Sequence, residues 1–250
     1  MKAMIFAAGI GSRLKPFTDS HPKALAPVAG RPAIEHAIRH ISSETGITDF
    51  VVNIHHFPEQ IREWAAGAPI PDVTIRFSDE SDLLLDTGGG LLKALPLLES
   101  GDDDLVIVHN ADIVSDFPIK SMVERMRFTD ADAVLLTSGR NSSRQLLFKP
   151  DGTLAGWRNN TTGETKPADI DVTGLTPLAF GGVHIIRLSR IAPLLKEFAA
   201  EAGNIFSVTP FYLSIMHAAK ILAFTPSSPF RWFDIGTPAK LEAATAAFQS

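Results

Sequence analysis

The chain of 250 residues contains no cysteine, which excludes disulfides, thiolate metal sites and a cysteine nucleophile. No run approaches the roughly 18 consecutive apolar residues that a membrane-spanning helix requires. The apolar stretch behind Lys2 ends at Gly9 and meets Arg13 and Lys15, too short for the hydrophobic region of a secretory signal. A broad basic face is missing as well. The 23 Lys and Arg against 28 Asp and Glu leave a net charge of −5, which argues against a nucleic-acid partner. These absences lead us to expect a cytoplasmic protein with no membrane or nucleic-acid partner. Internal repeats, low-complexity tracts and linkers are lacking too. One domain over 1–250 is therefore expected, with a change of rhythm near residue 137. Hydrophobic residues make up 45% and charged residues 20%, the composition of an ordinary globular enzyme with a substantial core.

Short β-rich runs alternate with helical patterns through the first half. The runs are Met4–Ala7, Phe50–Ile54, Thr74–Phe77, Leu105–Val108 and Ala133–Leu136. Helical stretches fall at Ala33–Ile41, Glu59–Ala65, Gly90–Leu98 and Ile119–Phe128. That alternation predicts βαβ units on a largely parallel sheet. Beyond Thr137, Leu146–Lys149 and Thr153–Trp157 flank Pro150-Asp151-Gly152, which predicts an antiparallel hairpin. Asn159 to Thr173 reads as a loop. Leu178–Ile186 reads as a strand in which Gly181-Gly182 implies a bulge or a close approach. Helices are expected at Ile191–Ala200, at Pro210–Ala219 with Thr209-Pro210 as its capped start, and after Thr237-Pro238. The fold class is α/β: a Rossmann-like three-layer sandwich with a mostly parallel mixed sheet and a small antiparallel hairpin insertion.

The segment from Ala7 to Lys23, AAGIGSRLKPFTDSHPK, follows the apolar run Met4-Ile5-Phe6. Glycines let backbone N–H groups approach an anion, and Arg13 and Lys23 can neutralise a polyphosphate. The segment therefore predicts a nucleoside triphosphate as ligand. It is neither a dinucleotide fingerprint, since Leu14 stands where a third glycine belongs, nor a Walker loop, since no Gly-Lys-Ser/Thr triplet occurs.

Asp112 follows the apolar run Leu105–Val108, and an aspartate past a buried strand suits Mg²⁺, which takes one or two carboxylates plus phosphate oxygens and waters. It can equally form a turn or cap a helix. Asp234 lies before Gly236 and Thr237-Pro238, and can complete such a site if the chain brings it to Asp112. Asp86-Thr87-Gly88-Gly89-Gly90 offers bare backbone for a flat base and ribose, or relieves crowding where a loop enters a helix. His21, His55, His56, His109 and His184 have no metal-ligand spacing and read as structural or surface residues.

Taken together, Gly9-x-Gly11-Ser12-Arg13, Pro22-Lys23 before Pro27-Val28-Ala29-Gly30-Arg31-Pro32, the Thr87 glycine cluster, Asp112 and Phe233-Asp234-Ile235-Gly236-Thr237 resemble the sugar-phosphate nucleotidyltransferases. The resemblance spans nearly the whole chain and is densest over 2–36. It implies that a sugar 1-phosphate attacks the α-phosphorus of a nucleoside triphosphate and releases pyrophosphate. Carried over by position, Arg13 would hold the β- and γ-phosphates and Lys23 would act at the α-phosphate. Asp112 and Asp234 would hold an essential Mg²⁺. Ala8, Gly9, Gly11, Ser12, Thr87, Gly88 and Asn110 would contact the nucleotide. Residues 1–137 would form the nucleotide-binding half and 138–250 the sugar-phosphate-binding half. The chain departs from the family at Ala111, where glycine is usual, and in the mid-chain Glu and Lys that contact the sugar. Lys166 and Gly182 are the positions closest to a match there.

No activated nucleophile is needed, because a phosphate monoester with a second pKa near 6 is already mostly dianionic at neutral pH. Within the family, the compact length resembles enzymes that join UTP to N-acetylmuramate 1-phosphate or GTP to mannose 1-phosphate, with UTP and an amino-sugar phosphate favoured. A phosphocholine-type cytidylyltransferase shares the N-terminal signature. A catalytically inactive, nucleotide-sensing relative would be expected to have lost one of Arg13, Lys23, Asp112 or Asp234. The expected assembly is a monomer or a small homo-oligomer.

Overall fold

The computed structural model describes residues 1–67, 70–99 and 103–249. The elements, in chain order, are β1 (Lys2–Phe6), β2 (Pro27–Val28), β3 (Arg31–Pro32), α1 (Ala33–Thr45), β4 (Asp49–Ile54), α2 (Pro58–Ala66), β5 (Thr74–Asp79) and α3 (Asp86–Leu98). Then come β6 (Leu105–Asn110), β7 (Ile113–Ser115), α4 (Ile119–Thr129), β8 (Ala133–Ser138), β9 (Arg144–Phe148), β10 (Leu154–Asn159) and β11 (Thr165–Lys166). The chain ends with β12 (Thr176–Arg187), α5 (Leu188–Ala202), α6 (Val208–Ile215), β13 (Ile221–Phe224), β14 (Trp232–Asp234) and α7 (Pro238–Phe248).

The first half builds the parallel order β5-β4-β1-β6. Its strands are apolar on both sides because helices cover both faces. Ala3, Ile5, Phe50, Val52 and Ile107 face α1 and α4, whereas Met4, Val51, Val106 and Val108 face α3, α5 and α6. This is the three-layer α/β sandwich expected. Antiparallel β12 extends the sheet beside β6, and β8 and β13 continue it. The hairpin around Pro150-Asp151-Gly152 forms as β9 and β10. No helix among the described residues is long and apolar enough to cross a membrane.

β12 is twelve residues long and serves two sheets. Its Ile185 end pairs with β6 and β8, while Thr176 to Leu178 pair with β9 of the small antiparallel sheet. The register slips between Phe180 and His184, around the glycine pair that predicted a bulge. Three local expectations are corrected. The region read as a loop from Asn159 to Thr173 contains β11, which adds to β10. Helix α6 starts at Val208 rather than Pro210, because the Val208 N–H is capped by the Thr87 hydroxyl of α3 at 2.9 Å and Thr209 is not the cap. The glycines at 88–90 lie within the first turns of α3 rather than before it.

Glycine inside a helix costs about 1 kcal/mol relative to alanine, so three in succession need a compensating cause. That cause is close packing. The N–H groups of Gly88 and Gly89 donate to the Phe206 carbonyl at 2.8 and 3.1 Å. A Cβ on Gly88 would overlap the Phe206 ring, and one on Gly89 would overlap the Asn204 carbonyl. Gly89→Ala should therefore destabilise the protein by about 1–3 kcal/mol, the usual cost of overpacking, despite the gain in helix propensity. Equal or higher urea midpoints for Gly89→Ala would contradict this account.

Two buried histidines set a pH limit on the fold. His184 stacks on Phe180 and meets Phe6 and Tyr212 edge-on. Neither of its ring nitrogens has a hydrogen-bond partner among the described residues. Burial lowers His184 to about 3 and His109 to about 4 from an ordinary 6.5. Both are thus neutral when folded and take up protons when unfolded. Their contribution is fully present above the unfolded pKa and is lost as pH falls toward the folded values. Each should steepen acid destabilisation by up to about 1.4 kcal/mol per pH unit. Urea unfolding between about pH 7 and pH 5 should show this slope, reduced in His184→Phe; a flat wild-type profile would refute it.

Candidate active site

The chain leaves β1 at the carboxyl edge of the parallel strands, where open α/β sheets bind ligands. The Ala7 N–H donates to Asn53 Oδ1 at 2.7 Å, and Asn53 Nδ2 donates to Glu80 Oε1 at 2.8 Å. The second oxygen of Glu80, a fully buried residue, accepts the Leu85 N–H at 3.1 Å. Asn53 and Glu80 thereby tie the glycine loop to the start of α3. The sequence reading missed both, although Asn53 is a polar residue within an otherwise apolar strand.

Beyond Ala8, the N–H groups of Gly9, Ile10 and Gly11 have no intramolecular acceptor among the described residues. Gly9 and Ile10 are exposed, which leaves the loop free to cradle an anion. Gly11 has φ +70°, and a Cβ there would lie 2.9 Å from Lys23 Cβ. Ser12 and Arg13 open a short 3₁₀ turn that leads the chain back toward Lys23.

Lys23 is nearly buried. Its ammonium donates to Asp112 and lies 3.8 Å from Asp234 Oδ1. The two aspartates, far apart in sequence, are brought together by a ribbon. β14 pairs antiparallel with β7, setting Asp234 opposite Ile113, and the Ile235 N–H donates to the Asp112 carbonyl at 3.0 Å. A Cβ built on Gly236 would stand 2.8 Å from Asp234 Oδ1, 3.0 Å from Arg13 Nη2 and 3.4 Å from Lys23 Nζ. Arg13, Lys23 and Asp234 thus converge around one bare backbone position, and Asp112 joins them through Lys23. Burial raises the Asp234 pKa, but the Lys240 hydrogen bond and the Lys23 and Lys240 charges more than offset it, holding the carboxyl below its ordinary value.

Other expected residues take more indirect places. Asn110 and Thr87 line a small pocket with Gly9, Lys23 and Asp112, yet the Thr87 hydroxyl is already engaged as the α6 cap. Gly88 packs on Phe206. Gly182 has φ +74°, and a Cβ on it would be 2.9 Å from Asn110 Nδ2, so it backs Asn110. Lys166 is remote from the charged centre in the strand order, on the outermost strand of the small sheet. Arg140, which the sequence reading missed, stacks on Trp232 at 3.9 Å and donates to the Phe180 carbonyl at 2.6 Å. Burial pulls its pKa down by more than the charge of Asp234 pulls it up, which sets another cation near Asp234. His55 and His56 bond the carbonyls of Glu80 and Thr18, and His21 stacks on Phe17.

Three cavities adjoin this edge. One of about 350 Å³ lies between Ala8, Asn53, Glu80 and Thr87, and one of about 180 Å³ covers Lys23 and Asp112. The largest, about 530 Å³, lies between the small sheet and the start of α6. Its Ser207 stands 3.4 Å from Thr87, which lines both of the others.

The nucleotidyl transferase family model matches residues 2–145. N-acetylmuramate alpha-1-phosphate uridylyltransferase of Neisseria meningitidis is 30% identical over 252 residues, covering 98% of this chain and 97% of the relative. The Caulobacter vibrioides protein of the same name is 29% identical, covering 96% and 94%. A mannose-1-phosphate guanyltransferase of Hypocrea jecorina is 35% identical over 60% of this chain and 42% of its own length. Among solved structures, HddC from Yersinia pseudotuberculosis, complexed with GMP-PN, superposes with a TM-score of 0.74 at 19% identity over 99% of each chain. A Bacillus anthracis protein solved with a sucrose gives 0.80 at 19% identity, over 100% of this chain and 96% of the other. With its fold, its converging charges and these relatives, the chain belongs to the nucleotidyl transferase family, as an enzyme of the sugar-phosphate nucleotidyltransferases.

Proposed function

We propose that the chain transfers uridylate from UTP to N-acetylmuramate 1-phosphate in a Mg²⁺-dependent reaction. The observation that carries the chemistry is the convergence of Arg13, Lys23 and Asp234 around Gly236, with Asp112 held against Lys23. The choice of UTP and an amino-sugar acid phosphate is supported by the two relatives that match this chain nearly end to end. A phosphate oxygen of the sugar 1-phosphate forms a bond to the α-phosphorus. The bond from that phosphorus to the α,β-bridging oxygen breaks, and its electron pair leaves with pyrophosphate. Such a reaction needs alignment and charge neutralisation rather than a covalent intermediate.

Arg13 would hold the departing β- and γ-phosphates, with the free N–H groups of Gly9 to Gly11 beside them. Lys23, anchored by both aspartates, would neutralise charge at the α-phosphate. Asp112 and Asp234 fit a hard divalent cation, since their oxygens already approach one positive charge. No group of three His, Cys, Asp or Glu residues suited to a metal occurs among the described residues. The remaining ligands would thus be phosphate oxygens and waters, the arrangement Mg²⁺ prefers. When bound, Mg²⁺ supplies charge neutralisation on the triphosphate.

Pyrophosphate release measured over four nucleoside triphosphates and a panel of sugar 1-phosphates and phosphocholine should be greatest with UTP and N-acetylmuramate 1-phosphate. No release with any sugar 1-phosphate would overturn the proposal. Asp112→Asn should lower kcat by about 10²–10³-fold, on the scale of losing one transition-state electrostatic partner, and chelation of divalent cations should abolish turnover of the wild type. Unchanged turnover of Asp112→Asn would remove Asp112 from the metal site.

A further inference from the structure

We propose that Lys240 is a displaceable counter-ion of Asp234, whose release sets how tightly the aspartate pair takes a divalent cation. The proposal rests on the reading above that Asp112 and Asp234 hold Mg²⁺. The two oxygens of Asp234 have different occupants. Oδ1 accepts the Gly236 N–H at 2.9 Å and lies 3.8 Å from the Lys23 ammonium. Oδ2 accepts from the Lys240 ammonium at 3.0 Å. The donors around Oδ1 belong to the backbone and to a nearly buried side chain. Oδ2 is therefore the oxygen whose partner can leave.

The two lysines are held very differently. The Lys23 side chain is 11% exposed, and its stem lies close against Gly11. The Lys240 side chain is 51% exposed, and its ammonium has no other partner among the described residues. An exposed ion pair on a flexible four-carbon stem is weak, so it can open without disturbing the fold. Lys240 is also poorly placed for its own helix. The Thr237 hydroxyl caps α7 by accepting the Lys240 N–H at 3.4 Å, and the first turn carries no acidic residue. A cation in that turn faces the positive end of the helix dipole. The helix gains nothing from the lysine, whose one favourable contact is Asp234.

Charge balance gives that contact a consequence. The carboxylates of Asp112 and Asp234 carry two negative charges, and Lys23 and Lys240 match them with two positive ones. Arg13 beside Gly236 and Arg140 near Asp234 add further positive charge. A dication therefore meets no net negative charge while Lys240 stays on Asp234. Its departure leaves one carboxylate unmatched and takes a like charge away from the cation. Until then, Lys240 screens the repulsion between the two carboxylates. The lysine thus holds Asp234 in place and weakens its hold on a divalent cation at the same time.

The test titrates Mn²⁺ into the nucleotide-free enzyme and reads free Mn²⁺ by electron paramagnetic resonance, with no turnover involved. Lys240→Gln should bind Mn²⁺ about two- to tenfold more tightly than the wild type, the scale of one exposed ion pair and one like-charge contact removed. Lys240→Arg keeps the charge and should bind no more tightly than the wild type. The gap between Lys240→Gln and wild type should narrow at about 1 M salt, where charges are screened within about 3 Å. Thermal midpoints within a few degrees of the wild type check that the variants are folded. Equal or weaker Mn²⁺ binding by Lys240→Gln would overturn the proposal. So would a loss of UTP affinity at unchanged Mn²⁺ affinity, which would make Lys240 a phosphate ligand. Asp234→Asn separates this from the parent reading. If that variant binds Mn²⁺ as tightly as the wild type, the metal site itself is wrong; if it binds weakly while Lys240→Gln is unchanged, the lysine proposal alone fails.

Discussion

The site depends on holding two carboxylates within reach of one ammonium group. Asp112 and Asp234 would repel one another if brought together bare, and the fold prevents their separation in two ways. Lys23 lies against both, and the β7–β14 ribbon locks their backbones through the Ile235 to Asp112 hydrogen bond. A third apolar cluster beneath the ribbon, including Leu14, Val28, Val114, Ile235 and Ala244, fixes the 3₁₀ turns that carry Arg13 and Lys23. That cluster is separate from the two large cores of the sandwich. Its packing serves the placement of charge as much as the stability of the sheet.

Around this centre, loops are joined by buried polar contacts rather than by cations. Glu80 and Asn53 link the glycine loop to α3, and Thr87 links α3 to α6. The wall of the pocket beside Asn53, at the start of α3, is therefore hydrogen-bonded to the wall of the large cavity, at the start of α6. Gly88 and Gly89 let α3 sit against Asn204 to Phe206, and Gly90 leaves room for Glu80 and Asn53, so the constraint on all three is spatial.

Much of this was legible in the sequence. Fully apolar runs such as Leu105 to Val108 announce strands covered on both faces, and Gly9 and Gly11 behind the run Met4 to Phe6 announce the loop that leaves β1. Asp112 and Asp234 could be named but not brought together, because β7 and β14 are only three residues each and carry no periodic signal. Arg140 and Glu80 were hidden for a related reason. Their partners are distant in sequence, and an isolated Arg after a strand or Glu in a polar stretch reads as surface. The glycine run left two readings open, since a bare backbone that admits a base and one that admits a neighbouring ring look identical until the neighbour is placed.

β12 crosses from the main sheet into the small one without a break. Leu178 at one end belongs to the floor beside the large cavity, and Gly182 a few residues on presses against Asn110. The small sheet and the backing of Asn110 are thus parts of one continuous girder, whose register shifts around Gly181-Gly182. Any change that shifts the small sheet would push, through β12, on the glycine that backs Asn110.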